Sequence, residues 1–108
     1  MKEKTLVMYQ TEAGDEPVRD WLLALDKGYR YRIQARIDRI RHGNYGDFKR
    51  FCGLIELRMD FGKGYRLYCA EDGNILVILL MAGDKSGQKK DIDKALEYWR
   101  DYNDQKKI

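Results

Sequence analysis

The sequence predicts an α+β fold: an N-terminal strand and a helical hairpin, then a three-stranded antiparallel meander and a C-terminal helix, with a single sheet covered by helices. Three observations carry this expectation. Apolar residues recur every three or four positions up to His42 but every second position from Ile55. The run from Ile75 to Ala82 holds no polar residue, as in a strand covered on both faces. A helical stripe then resumes after Gly83, and such stripes need a sheet to cover.

Lys4 to Gln10 combines β-branched and aromatic residues and predicts a strand, broken by Thr11 to Gly14. Asp15 and Glu16 precede Pro17, which is N-cap and first-turn chemistry. Val18, Trp21, Leu22 and Leu25 follow at helical spacing, and Gly28 ends or interrupts that helix. From Tyr29 to His42, Tyr29, Ile33, Ile37 and Ile40 form an apolar face while Arg32, Arg36 and Arg39 line another. Gly43 to Asp47 closes this second helix, and the pair is expected to pack as a hairpin.

Ile55, Leu57 and Met59 alternate with Glu56, Arg58 and Asp60, a half-buried strand. Phe61-Gly62-Lys63-Gly64 turns the chain into a strand from Tyr65 to Ala70, and Glu71 to Asn74 turns it into the strand from Ile75 to Ala82. Lys85 to Gln88 lead into the last helix, whose stripe is Ile92, Ala95, Leu96, Trp99 and Tyr102.

The chain has 108 residues, 44% hydrophobic and 36% charged, the charged share standing well above the usual value of about 25%. This length makes one domain, residues 1–108, that needs neither disulfide nor metal to fold. The longest apolar run is eight residues, far from the roughly 20 that cross a bilayer. No signal-peptide pattern opens the chain, so a cytoplasmic protein without membrane contact is expected. Cys52 and Cys69 form no C-x-x-C pair and His42 is the sole histidine. Metal and cofactor chemistry are therefore unsupported, and both thiols are expected to be buried and structural.

Net charge is only +3, yet residues 27 to 68 hold eleven basic and four acidic side chains, a local +7. Such a segment either attracts polyanions or is a solvated basic face. With the turn centred near Gly62, Arg58 and Arg66 lie opposite each other on one face. Like charges so placed need compensation, from Glu56 or Asp60 within the protein or from a bound phosphate. Lys85, with Lys89 and Lys90 a turn beyond, sits where the last strand ends and can reach the same face as Arg66. Phe48-Lys49-Arg50-Phe51, just before the sheet, interleaves rings and cations, a pattern that suits either nucleotide binding or plain packing. Lys49, Arg50, Arg58, Lys63, Arg66 and Lys85 around one concavity would make a phosphate-binding surface. A cationic site of that kind can stabilise a pentavalent phosphorane without metal while a ribose 2′-OH attacks in line.

Glu56-Leu57-Arg58, Phe61-Gly62-Lys63-Gly64-Tyr65-Arg66-Leu67-Tyr68, Ile78-Leu79-Leu80 with Gly83-Asp84-Lys85-Ser86, and Gln88-Lys89-Lys90-Asp91-Ile92 followed by Tyr98-Trp99 together resemble the RelE/ParE toxin superfamily. The likeness is greatest to its HigB-like addiction module killer protein branch and covers nearly the whole chain. It implies a RelE-like fold and the toxin of a type II toxin–antitoxin pair. The partners implied are a cognate antitoxin of helix-turn-helix type, the ribosome and mRNA, with operator DNA reached only through the antitoxin.

Two activities follow from the resemblance: ribosome-dependent cleavage of mRNA, or ParE-like inhibition of DNA gyrase by binding alone. Fold likeness does not choose between them. For the nuclease, Arg66 matches the meander arginine on the scissile phosphate and Lys85 the basic residue ending the last strand. Arg58 would join Arg66 on the phosphate, while Lys85 or Glu56 would assist proton transfer. Lys49, Arg50, Lys63, Lys89 and Lys90 are the expected RNA-binding residues. Some nuclease members carry a catalytic tyrosine or histidine near the C-terminus, where this chain has Asp91.

Overall fold

The computed structural model describes residues 3–106. The strands are β1 (Thr5–Met8), β2 (Phe48–Phe51), β3 (Leu54–Arg58), β4 (Arg66–Asp72) and β5 (Leu76–Gly83), and the helices are α1 (Pro17–Ala24), α2 (Lys27–Ile40) and α3 (Gln88–Lys106). A 3-10 turn, Lys85–Gly87, leads into α3. The sheet has five strands in the order β1-β5-β4-β3-β2. β1 runs parallel to β5 and every other pairing is antiparallel.

The expected α+β class and three-stranded meander are present, with two corrections. Phe48–Phe51 is a fifth, edge strand hydrogen-bonded to β3, where the sequence suggested a segment lying before the sheet. Its residues are mostly exposed, so no burial alternation marks it as a strand. Gly28 lies inside α2, not at the end of α1, because Asp26 occupies the N-cap and the helix starts at Lys27. Glycine costs little in a first turn, where its amide lacks an intrahelical partner in any case.

Helices cover both faces of the sheet. On one face Val18 and Leu22 of α1 and Ile33, Ile37 and Ile40 of α2 pack with Leu57, Leu67, Cys69 and Leu79. On the other, Ala95, Ile92, Leu96 and Trp99 of α3 pack with Leu54, Tyr68, Ala70, Ile78 and Leu80. Side chains of α3 also tie to the sheet edge region, Tyr102 donating to Asp72 at 2.8 Å and Tyr9 donating to Asp101.

A register shift between Tyr68 and Cys69 pairs Tyr68 with Met81 and Cys69 with Leu79. This bulge advances the phase of β5 by one residue. Ala82 consequently packs with α1 and α2, and Gly83, the partner of Arg66, falls on the α3 face. Beyond the N-terminus of α3 that face is uncovered, and the basic residues gather there.

Candidate functional site

Hairpin register builds the site. Arg58 and Arg66 are direct partners across β3 and β4, and Glu56 is partnered by Tyr68 one step further in. All four side chains share the α3 face, because opposed residues and residues two apart point the same way. The connecting loop is held by Met59 N–H donating to Tyr65 O at 3.0 Å and Gly64 N–H donating to Phe61 O at 3.1 Å. Gly62 has a φ of +59°, and a Cβ there would lie 2.6 Å from the Tyr65 ring. Only glycine fits that position. Tyr65 in turn is wedged edge-on against Trp21, Tyr29 and Phe61.

A second loop is tied to the first by Lys85 N–H donating to Lys63 O at 3.3 Å. The result is an open groove of about 520 Å³ whose cations are Arg58, Lys63, Arg66 and Lys85, with Asp47 and Asp60 also on its wall. Arg66 is anchored through Nη1 donating to the carbonyls of Gly64 and Tyr65 at 3.1 and 3.2 Å. The carboxylate of Glu56, 2% exposed, lies 3.5 Å from Arg58 Nε and accepts from Gln88 Nε2 at 2.8 Å. Of the two opposed guanidinium groups, Arg58 is thus paired with a carboxylate, whereas Arg66 is held by backbone carbonyls.

Three donors in this cluster are buried without a hydrogen-bond partner: Arg58 Nε, Arg66 Nε and the Tyr68 hydroxyl. Buried polar groups are satisfied as a rule, and here the Glu56 carboxylate lies next to Arg58 Nε and acts on the Tyr68 hydroxyl, whereas Arg66 has no carboxylate partner among the described residues. Burial, followed by the nearby Glu56 carboxylate, raises the Tyr68 phenol and keeps it protonated. Asp91, on the first turns of α3, is packed so closely on Gly83 that a Cβ there would collide with its carboxylate. Desolvation, then Asp84, raises the Asp91 carboxyl above the usual aspartate value.

The structure thus brings together Arg58, Arg66, Lys63 and Lys85, with Glu56 as a buried support behind them. Other expected residues lie elsewhere. Lys49 is the register partner of Glu56 but stands exposed on the edge strand, outside the groove lining. Arg50 points to the opposite face, bonded to Glu71 at 2.9 Å and lying over the rings of Tyr45 and Phe48. Lys89 and Lys90 are exposed on the first turn of α3 and do not line the groove.

Three contributors were not among the expected site residues: Tyr68, Gln88 and Arg36. Parity with Arg66 was a usable signal for Tyr68, whereas nothing local points to Gln88. Arg36 donates to the carbonyls of Arg58, Tyr45 and Asp47 at 2.8, 3.0 and 3.1 Å, fixing two segments of the groove wall.

Of the thiols, Cys69 is buried as expected and burial pushes it up, leaving it protonated. Cys52 corrects the expectation, being exposed in the β2–β3 turn. Among the described residues no group of three or more His, Cys, Asp or Glu could hold a metal ion. Among the same residues no helix is long and apolar enough to cross a membrane.

Comparison with known proteins gives a family match to Phage derived protein Gp49-like (DUF891) over residues 20–100, a span that includes the whole groove. An uncharacterized protein of Haemophilus influenzae is 52% identical over 65 residues, which cover 59% of this chain and 66% of that protein. No solved structure matches the chain.

Proposed function

The chain belongs to the Gp49-like, phage-derived family, a commonly toxin-like group within the RelE/ParE-like toxin superfamily, and on that premise we propose that it is the toxin of a type II toxin–antitoxin pair acting as a metal-independent, ribosome-dependent mRNA endoribonuclease. Its affinity within the superfamily is proposed to be with the HigB-like members. The observation that carries the nuclease reading is the directly opposed Arg58 and Arg66 in a groove shared with Lys63 and Lys85, Arg66 having no carboxylate within ion-pair distance among the described residues. A phosphodiester supplies anionic oxygens to such donors, and charge-assisted bonds of this kind are the strong ones.

In the proposed reaction the ribose 2′-oxygen attacks phosphorus, the bond to the 5′-oxygen breaks, and the products are a 2′,3′-cyclic phosphate and a 5′-hydroxyl. One proton leaves the 2′-hydroxyl and one reaches the departing oxygen, with Lys85 as the groove residue handling them, while the expected part of Glu56 in proton transfer gives way to a buried support of Arg58. Arg58 and Arg66 stabilise charge that is greatest in the transition state, so each raises the rate more than it raises affinity. The proposed setting is the cytoplasm, where a cognate helix-turn-helix antitoxin holds the groove closed and is the link to operator DNA.

Mapping of mRNA ends in a translating extract tests this. Wild-type protein is expected to produce new 5′-hydroxyl ends, and Arg66→Gln to lose about 100-fold or more in cleavage while keeping its circular dichroism spectrum. Intact message at doses that arrest growth overturns the proposal, and inhibition of supercoiling at those doses replaces it with gyrase binding.

A further inference from the structure

The arginine row of α2 has no place in the groove, yet it adjoins it. Arg36, at its centre, donates to the carbonyls of Arg58 and Asp47, both on the groove wall. Arg32 and Arg39 flank it, seven residues apart, or about 10 Å along the helix axis. With Phe61 and Ala35 these arginines line a hollow of about 250 Å³. Phe61 comes from the loop that carries Lys63, so the two depressions share a rim.

The acids nearby are accounted for. Asp47 and Asp60 act on Arg36, and Asp38 accepts from Gln34 at 3.1 Å. Neither Arg32 nor Arg39 is within ion-pair distance of a carboxylate among the described residues. Arg32 is nevertheless held: its guanidinium carbon is 3.9 Å from the centre of the Phe61 ring, which stacks on Tyr29 at 6.1 Å and 11°. A guanidinium resting on a ring keeps its donor edge free and loses less entropy when it binds.

We infer that the Arg32–Arg39 face of α2 is a second phosphate-binding track, taking the sugar-phosphate backbone of the same RNA strand beyond the phosphate held by Arg58 and Arg66. The inference rests on the phosphate reading of the groove and extends it to a longer footprint. The occupant is identified by charge and continuity: unpaired, spaced cations beside a groove read as holding an RNA phosphate suit the next phosphates of the same strand.

Salt titrations with two 2′-O-methylated probes, which cannot undergo 2′-oxygen attack, test the track on the intact protein. One probe is a uridine trinucleotide that fills only the groove, and the other an oligouridylate of about twelve nucleotides. The longer probe should show a steeper fall of log K with log salt. Arg32→Gln/Arg39→Gln should lower that slope by about 1.4, two phosphates at roughly 0.7 each, and leave trinucleotide binding unchanged. Arg39→Gln alone, which removes no side-chain hydrogen bond or ion pair found among the described residues, should lower it by about 0.7. An unchanged slope in either variant overturns the track, including the case in which this face serves an acidic protein. Failure of wild-type protein to bind the trinucleotide overturns the groove reading itself, whereas loss of trinucleotide binding in Arg66→Gln upholds it.

Discussion

The buried Tyr68 hydroxyl makes no full hydrogen bond, with the Glu56 carboxylate near it and the Nε atoms of Arg58 and Arg66 likewise without one. Leaving such a group unsatisfied costs about 1–3 kcal/mol. Tyr68→Phe is therefore expected to raise stability by about 1 kcal/mol in a urea melt while weakening binding of a phosphate-containing probe. A variant that is both less stable and binds normally would show the hydroxyl to be satisfied internally. Glu71 supplies the opposite case. Bonds from Arg50 and Tyr45 hold its carboxyl below the ordinary glutamate value. A depressed pKa contributes stability above the unfolded value of about 4.3 and loses it as pH falls through the folded value. Glu71→Gln should thus lower stability at neutral pH and flatten the acid limb of the stability–pH curve below about pH 4.

At the level of elements, the β2–β3 turn and α2 make distinct demands. Cys52 and Gly53 have φ of +53° and +79°, the two left-handed residues of a type I′ hairpin turn, where asparagine is favoured and cysteine is strained. Cys52→Asn is expected to raise the melting temperature, corresponding to about 0.5–1 kcal/mol, without altering the groove. Arg36 binds three carbonyls from two segments, so Arg36→Met should cost about 2–4 kcal/mol, less than the sum of three charged bonds at about 1.5–3 each because the freed carbonyls are part-buried or exposed and can turn to water. Amide exchange should quicken at Arg58, whose N–H donates to Asp47 O, in the same variant. These elements also show what could be read in advance. The opposition of Arg58 and Arg66 was legible because alternation on either side of Gly62 fixes the register. Lys49 and Arg50 could not both enter one groove, since neighbours in a strand face opposite ways; that signal was available once Phe48–Phe51 is known to be a strand. The strand itself was hidden, because an exposed edge carries no burial pattern. Gln88 reaches Glu56 from 32 residues away, a meeting that only tertiary packing decides.

For the molecule as a whole, topology sets the order of assembly. The meander is made of neighbours in sequence, but β1 pairs in parallel with β5, Thr5 with Leu76. Thr5 and Tyr9 N–H groups donate to Ile75 and Leu79 carbonyls, so Val7, of the same phase, also turns its N–H to β5. Val7→Pro should lower equilibrium stability while speeding unfolding more than it slows refolding, as expected of contacts made after the transition state. A chevron in which the folding limb carries the whole loss would place β1 in the nucleus instead.

That pairing has a consequence during synthesis. Chains are made at about 5–20 residues per second, so the first strand emerges roughly 4–14 s before the one it must join. Until β5 is released there is no Gly83 beside Arg66 and no Lys85 beside Lys63. A newborn chain accordingly lacks an assembled groove for most of its time on the ribosome, so whatever the groove does begins only after that delay.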